Sequence, residues 1–314
     1  MNLQQNYDRV VNYFGTGYNQ RFIMSLATSY TLEGKQFSGV LLNKIMTRIV
    51  EESKLRLQNE SSVSYQIAHK LMNEEDLETS IRRLERKDTI LQEVGFKRSS
   101  SRIVGALLLR EDATSHGKRA KALFDELNRR QRLLTTKEDI PNMVVLSAEE
   151  YANPSVQADT IVRYYQELRN DFLFGNHLQA LSQIMTLYSE EYNKTLLQYV
   201  VQLKNAFLKR NVKIKRVHYP FIGILALTAT SDNKVAEIVE LHDILIKQKA
   251  FRLEKELALI VAIQKTVQDL MELQSTTDMS SLSRLEDLLF TLDIVLELLF
   301  DTADGLTSIF DLFN

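Results

Sequence analysis

The sequence lacks several residue types, and each absence excludes a class of structure or site. It contains no cysteine, which excludes disulfide bonds, zinc–thiolate sites, iron–sulfur clusters and a thiolate nucleophile. Only three prolines and ten glycines occur in 314 residues, so residues that make tight turns are scarce. This scarcity, in a chain rich in leucine, argues against β-sandwiches, barrels and Rossmann-like folds and favours helices.

The chain also lacks an excess of charge and a long apolar run. Its 39 basic and 41 acidic residues give a net charge of −2, which provides no overall attraction to nucleic acid or anionic membrane. No apolar stretch approaches the roughly 18 to 20 residues that a membrane helix requires. The first residues lack the basic and apolar regions of a signal peptide. We therefore expect a folded, soluble, cytoplasmic protein without a membrane span.

A weak internal repeat follows from the positions at which helical periodicity breaks. Five apolar residues each follow a long, charged helical segment and precede a shorter, more apolar one: Phe96, Leu134, Phe174, Ile214 and Phe251. Their spacings of 38, 40, 40 and 37 residues are typical of two-helix repeats. The sequence thus predicts an all-α fold, an α-solenoid-like stack of helix pairs with a period of about 38–40 residues. An irregular all-α bundle is the alternative.

The same pattern divides the chain into three parts. Residues 1–92 are predicted to form an N-terminal helical bundle, and residues 93–277 the stacked helix-pair repeats. Residues 278–314 are predicted to form an acidic, amphipathic C-terminal capping helix, because acidic positions spaced by seven, four and four residues leave a broad face of leucines. A dimerisation helix, or an arm that folds onto a basic patch of the same chain, are the alternatives for this part.

One segment carries a family resemblance. Between Val94 and Leu227, and most recognisably over Lys213–Leu227, a basic run is followed by His218-Tyr219-Pro220 and an apolar helix. This pattern resembles an uncharacterised family of cytoplasmic proteins, described only as a domain of unknown function, from low-GC Gram-positive bacteria. The resemblance spans most of the chain and implies a single all-helical protein. It implies no activity, cofactor or catalytic residue, and the segment after Asp278 matches least well.

Motifs that would indicate catalysis are missing. The five histidines lie apart, and none has the His-Glu-x-x-His spacing that places two imidazoles on one helical face for zinc. The cluster Gly15-Thr16-Gly17 lacks the lysine and hydroxyl residue of a phosphate-binding loop. Ser115-x-x-Lys118 and Ser231-Asp-Asn233 match two elements of a penicillin-recognising enzyme without the third. We expect no catalytic residue, cofactor or metal.

Charge is distributed unevenly along the chain. Residues 204–216 contain six bases and no acid, and residues 97–132 contain ten bases and four acids. These stretches are either solvated faces or surfaces that attract phosphate or an acidic protein.

The function expected from these features is a non-catalytic helical-repeat scaffold or adaptor that binds a protein or peptide partner. The second helices of the repeats are expected to line the binding surface. Candidate partner-binding residues lie at the starts of these helices and in the basic stretch 204–216: Arg102, Asp139, His177, Arg210, Lys213, Lys215, Arg216 and His218. The alternative is a nucleic-acid-binding protein that uses stretches 97–132 and 204–216. A homodimer formed through the C-terminal helix is a further possibility.

Overall fold

The structure, a computed structural model, is helical throughout the part of the chain that it describes. The described residues are 3–15, 17–55, 57, 61–149, 153–228, 231–252, 254–274 and 283–294. Within these ranges, α-helices are joined by turns and short 3-10 helices, and there is no strand. The all-α fold class is therefore confirmed.

The α-helices follow one another closely along the chain. In chain order they are α1 (Leu3–Phe14), α2 (Gln20–Leu32), α3 (Gly39–Glu52), α4 (Ser62–Leu71), α5 (Leu77–Glu93), α6 (Ser100–Leu108), α7 (Ala113–Arg130), α8 (Ile140–Leu146), α9 (Pro154–Leu168), α10 (Asn176–Ile184), α11 (Lys194–Lys209), α12 (Tyr219–Leu227), α13 (Asp232–Leu245), α14 (Lys255–Gln274) and α15 (residues 283–294). Short 3-10 helices form at Lys137–Asp139, Arg216–His218 and Lys249–Phe251. Over the described ranges, none of the helices combines the length and apolar character needed to cross a membrane.

The chain forms two compact units, each assembled from two separate segments. Unit 1 combines residues 1–37 with residues 152–286, and unit 2 combines residues 38–151 with residues 287–314. The predicted division of the chain into three parts, with boundaries after residues 92 and 277, concerns successive stretches of sequence rather than compact units. This division stays a prediction.

Unit 1 contains three successive helix pairs: α9 with α10, α11 with α12, and α13 with α14. The first helices of the pairs pack side by side, as do the second helices, so that α12 lies between α10 and α14. Helices α1 and α2 pack against the last pair. In α2, the carbonyl of Leu32 accepts a hydrogen bond from Gln268 at 2.9 Å, and Arg21 pairs with Glu254 at 3.4 Å. In α1, Gln4 accepts the backbone N–H of Ala250 at 3.3 Å.

Unit 2 repeats this arrangement with two pairs. Helix α5 packs on α6 and α7 on α8, while α6 also contacts α8 and α5 contacts α7. Helices α3 and α4 pack on each other and precede the first pair, with α4 contacting α5. Like helices thus lie next to like helices within each unit. A continuous solenoid over residues 93–277 stays a prediction.

All five predicted joints fall between α-helices, and Phe251 ends the 3-10 helix Lys249–Phe251. The chain reverses after α5 because Gly95 adopts a left-handed conformation (φ 105°), which lets Phe96 donate to the carbonyl of Leu91 at 3.0 Å. Asn211 (φ 61°) closes α11 in the same way, although it is not glycine. The long-then-short alternation holds for the first four pairs and is wrong for the last, because α14 has 20 residues and α13 has 14.

The second helices form much of the core. Every residue of α8 is buried, and so is α12 from Tyr219 to Ala226. Apart from Asn142 of α8, residues 140–146 and 219–226 are apolar or aromatic, so burying them on all sides stabilises the fold. The expectation that the second helices line a partner-binding surface is therefore wrong for α8 and α12.

Helix α15 packs onto its own chain. Leu285, Leu288 and Leu292 are buried, and the buried Arg284 donates to the carbonyl of Leu187 at 2.9 Å. Asp287 lies 3.5 Å from Arg110, which belongs to the basic stretch 97–132. The remainder of the predicted capping helix, residues 278–282 and 295–314, lies outside the described residues.

Candidate functional site

Three of the predicted partner-binding residues occupy equivalent positions in three different helices. Arg102, Asp139 and His218 each lie three residues after the residue that caps a helix start. Asp139 and His218 make the same local bond, since each accepts the backbone N–H of its cap residue: Thr136 at 2.8 Å and Lys215 at 3.0 Å. Their side chains hold turns of their own chain together.

Arg102 takes part in a buried ion pair of unit 2. Its Nε and Nη2 donate to the two carboxylate oxygens of Asp88, both at 2.8 Å, and its Nη1 donates to the carbonyl of Phe96 at 3.1 Å. Only 6% of the Arg102 side chain and 12% of the Asp88 side chain is exposed. This fork-to-carboxylate geometry ties the start of α6 to the middle of α5.

His218 is buried and links the turn before α12 to the start of α14. Its Nδ1 accepts the N–H of Lys215, so its Nε2 carries the proton and donates to the carbonyl of Glu256 at 3.0 Å. Burial lowers its pKa to about 4, so the imidazole is neutral at pH 7. The Lys215 ammonium lies 2.8 Å from the Glu256 carboxylate, which lowers the pKa of that carboxyl.

His116, which the sequence analysis did not single out, makes the same two kinds of bond in unit 2. Its Nδ1 accepts the N–H of Arg110 at 3.0 Å, and its Nε2 donates to the carbonyl of Val144 at 2.7 Å. Burial lowers its pKa to about 4. No sequence pattern marks this role, because both partners are backbone groups, and the carbonyl of Val144 is 28 residues away.

His177 lies at the start of α10, and its pKa is also lowered to about 4 by burial and, to a smaller extent, by the charge of Arg216. Arg216 and Lys213 are exposed, and neither forms an ion pair within the described part of the chain. Among the predicted residues of unit 1, His218 is thus buried, His177 and Arg210 are half-buried, and Lys213, Lys215 and Arg216 are exposed.

Nearby acids neutralise the two basic stretches in part, the stretch 97–132 more than the stretch 204–216. In residues 204–216, Arg210 lies 2.7 Å from Asp232. In residues 97–132, acids pair with Arg102, Arg110, Arg119, Lys121, Arg129 and Arg130. The net charges counted along the sequence therefore overstate the charge that these surfaces offer to a partner.

A surface groove lies between α11 and α13 in unit 1. It has a volume of about 500 Å³ and is lined by Tyr199, Gln202, Leu203, Asn205, Ala206, Leu208, Lys209, Asp232 and Val235. Leu203 and Val235 are buried, whereas 57% of Leu208 is exposed. In the sequence, the groove is indicated only by Ala206, a small residue among larger neighbours. The groove could not be predicted from the sequence, because it forms only where α11 and α13 lie side by side.

A second, more polar pocket of about 600 Å³ lies in unit 2, where the end of α3 and the segment 96–102 meet α5. It is lined by Lys54, Leu55, Glu85, Asp88, Thr89, Gln92, Phe96, Lys97, Arg98 and Arg102. Of the predicted site residues, Arg102 contributes to this pocket.

These observations define an all-α protein of packed helix pairs, in which several candidate contact residues bind the chain's own backbone. Residues 6–293 match the family DUF4003, which is described as a protein of unknown function. The chain belongs to this family, so the family resemblance seen in the sequence is confirmed.

A related protein occurs in Bacillus subtilis (strain 168), a low-GC Gram-positive bacterium. It is described as the uncharacterized protein YeaA and is 26% identical to the chain over 187 residues. The similar region covers 57% of this chain and 55% of YeaA, so it spans about half the length of that relative. No solved structure matches the chain.

Proposed function

We propose that the chain is a non-catalytic, cytoplasmic adaptor that binds a helical peptide segment of a partner protein in the groove between α11 and α13. The observation that carries the proposal is the composition of this groove. The exposed Leu208 and the half-buried Ala206 supply apolar contact area. Lys209 and Asp232 supply one charge of each sign at the edge of the groove, and Asp232 is also paired with Arg210. An amphipathic helix with a narrow apolar face and mixed flanking charges matches such a surface.

The burial of the second helices supports the choice of this groove. Since α8 and α12 are covered, partner contact falls to the longer first helices, whose outer faces are exposed. Leu208, on α11, already exposes most of its side chain. Covering it with a partner would remove apolar area from water and contribute to affinity.

Photo-crosslinking in living cells tests the adaptor function. A benzoyl-phenylalanine replaces Leu208, and the crosslinked protein is purified and identified under denaturing conditions. In this background, Ala206→Phe fills the groove and is expected to abolish the crosslink. Ala236→Phe, at an exposed position of α13 outside the groove, is expected to retain it. Thermal unfolding of both variants verifies that they fold. The absence of a protein crosslink, or an equal crosslink in both variants, would contradict the proposal.

Nucleic-acid binding is the second candidate, and it is supported by the exposed Lys209, Lys213 and Arg216, which form no ion pair within the described residues. Substituting glutamate for Lys213, Lys215 and Arg216 together is expected to abolish such binding, and added salt should weaken it steeply. A protein partner that stays bound at high salt and to this triple variant favours the adaptor.

Homodimerisation through the C-terminal helix is a weaker proposal for α15. Its leucines at 285, 288 and 292 are already covered by the same chain, so they are not available to a second copy. Sedimentation of the whole chain tests whether it is a monomer.

A further inference from the structure

The polar pocket of unit 2 is separate in its residues and chemistry from the groove proposed for a partner. Its wall carries four basic side chains, Lys54, Lys97, Arg98 and Arg102, against two acidic ones. Both acids already have partners. Asp88 is engaged by Arg102, and Glu85 accepts the backbone N–H of Lys54 at 2.5 Å. Among the described lining residues, basic side chains therefore outnumber acidic ones by four to two.

Arg102 supplies a fixed donor group in this wall. A guanidinium has five N–H groups, and three of those in Arg102 are used by Asp88 and Phe96. The other two make no hydrogen bond within the described part of the chain. Because the ion pair with Asp88 and the surrounding burial hold the guanidinium in place, little conformational entropy is lost when an oxygen ligand binds it.

Lys97 and Arg98 lie directly before the start of α6 and expose their side chains. Lys97 forms no ion pair within the described residues. Long basic side chains on a turn beside a fixed arginine can surround an anion with several donors at once. Gln92 and Thr89, also in the lining, add neutral polar groups that suit hydroxyl groups of a ligand.

We propose that this pocket binds a small phosphorylated molecule, with the phosphate held by Lys97, Arg98 and the two remaining N–H groups of Arg102. The volume of about 600 Å³ lies within the roughly 300–1,000 Å³ of small-molecule sites, and it accommodates a phosphate with an attached sugar-sized group. The polar lining matches a sugar better than an apolar group. The site would give the protein a small-molecule ligand in addition to any partner.

Calorimetric titration of the full chain with three phosphate-bearing probes tests the proposal: inorganic phosphate, inorganic pyrophosphate and ribose 5-phosphate. Ribose without phosphate is the matched neutral compound, and ionic strength is kept constant throughout. Binding of at least one phosphate-bearing probe is expected, with no binding of ribose. If none binds at about 10 mM, the proposal is wrong.

Charge-reversal variants locate the site. The double substitution Lys97→Glu with Arg98→Glu is expected to weaken probe binding at least tenfold, because two attractive charges become repulsive. Lys118→Glu changes charge at an exposed position of the same unit outside the pocket, and it should alter affinity less than twofold. The substituted residues of both variants are exposed, so the melting temperatures of the variants should stay near that of the wild type. Equal losses in the two variants would overturn the assignment of the phosphate to this pocket.

Discussion

At the scale of single residues, His116 and His218 act as neutral, buried linkers between turns and neighbouring helices. Each accepts one backbone N–H and donates to one backbone carbonyl, so both ring nitrogens are satisfied only when the ring carries a single proton. Protonating either ring would place a second N–H opposite a backbone N–H. A charge would also be buried, which explains why the pKa of each ring is depressed.

This geometry predicts a loss of stability in mild acid. The folded-state pKa of His116 is about 4 against an ordinary 6.5, so the unfolded chain takes up its proton first as pH falls. The stabilisation is complete above pH 6.5 and declines from there toward pH 4. Nearby Arg110 and Arg119 also oppose protonation, and Asp112 favours it. Between pH 7 and pH 5, His116 should remove about 2 kcal/mol from the free energy of unfolding.

Urea unfolding at the two pH values, with wild type and His116→Gln compared, checks this expectation. Glutamine cannot titrate, so the difference between pH 7 and pH 5 should shrink by about the same 2 kcal/mol. His218→Gln should behave alike. An unchanged pH dependence in both variants would show that these rings do not titrate as described.

The buried pair of Arg102 and Asp88 predicts a large effect from a single substitution. Arg102→Ala leaves the Asp88 carboxylate buried without its partner and should lower the free energy of unfolding by about 3–5 kcal/mol. In the exposed pair of Arg82 and Glu78, Arg82→Ala should cost less than about 1 kcal/mol. Denaturant titration of the two variants measures both values, and similar losses would contradict the structural role given to Arg102.

At the scale of helices, glycine allows the second helices to approach closely. A Cβ atom at Gly223 of α12 would lie 2.8 Å from Leu181 Cδ1 and 3.1 Å from Ile184 Cγ2 of α10. At Gly105 of α6, a Cβ atom would lie 3.2 Å from Ile140 Cγ2 of α8. Neighbouring second helices in both units therefore pack with part of their contact area against bare backbone.

Gly223→Ala should consequently destabilise the protein. The overpacking cost of about 1–3 kcal/mol exceeds the gain of about 1 kcal/mol in helix propensity. Gly117→Ala is the control, since its Cβ would meet Ile90 at an ordinary 3.4 Å, and it should be neutral or stabilising. Thermal unfolding distinguishes the two, and a stabilised Gly223→Ala would mean that α10 and α12 are spaced more widely than described.

The helix joints were predictable from sequence, whereas the partners of the side chains were not. Phe96, Phe174 and Phe251 mark joints because the apolar period breaks beside them, which is a local property. The bonds of Arg102 to Asp88 and of Lys215 to Glu256 depend on which helices become neighbours, and these pairs are 14 and 41 residues apart. Arg102 and Lys215, which the sequence suggested as partner-binding residues, were therefore found to be bonded within the chain.

At the scale of the whole molecule, paired charges limit the attraction to nucleic acid. Acids of the same chain pair with six of the ten bases of residues 97–132, so fewer cations remain to displace counterions from phosphates than the sequence suggests. Binding of a duplex DNA probe at physiological salt should be no tighter than about 10⁻⁴ M, the weak end of non-specific affinity. Fluorescence anisotropy measures it, and a submicromolar, steeply salt-dependent affinity would instead favour the nucleic-acid candidate.

The two-segment construction of unit 1 affects how the protein is made. Gln268 and Leu32, which bond directly, are separated by 236 residues. At roughly 5–20 residues per second, a ribosome needs about 12–50 s to add the intervening chain. During that interval α1 and α2 have emerged without α14, on which α2 packs in the folded protein. The side of α2 that α14 covers in the folded protein thus stays open to solvent, or to a chaperone, until α14 has been synthesised.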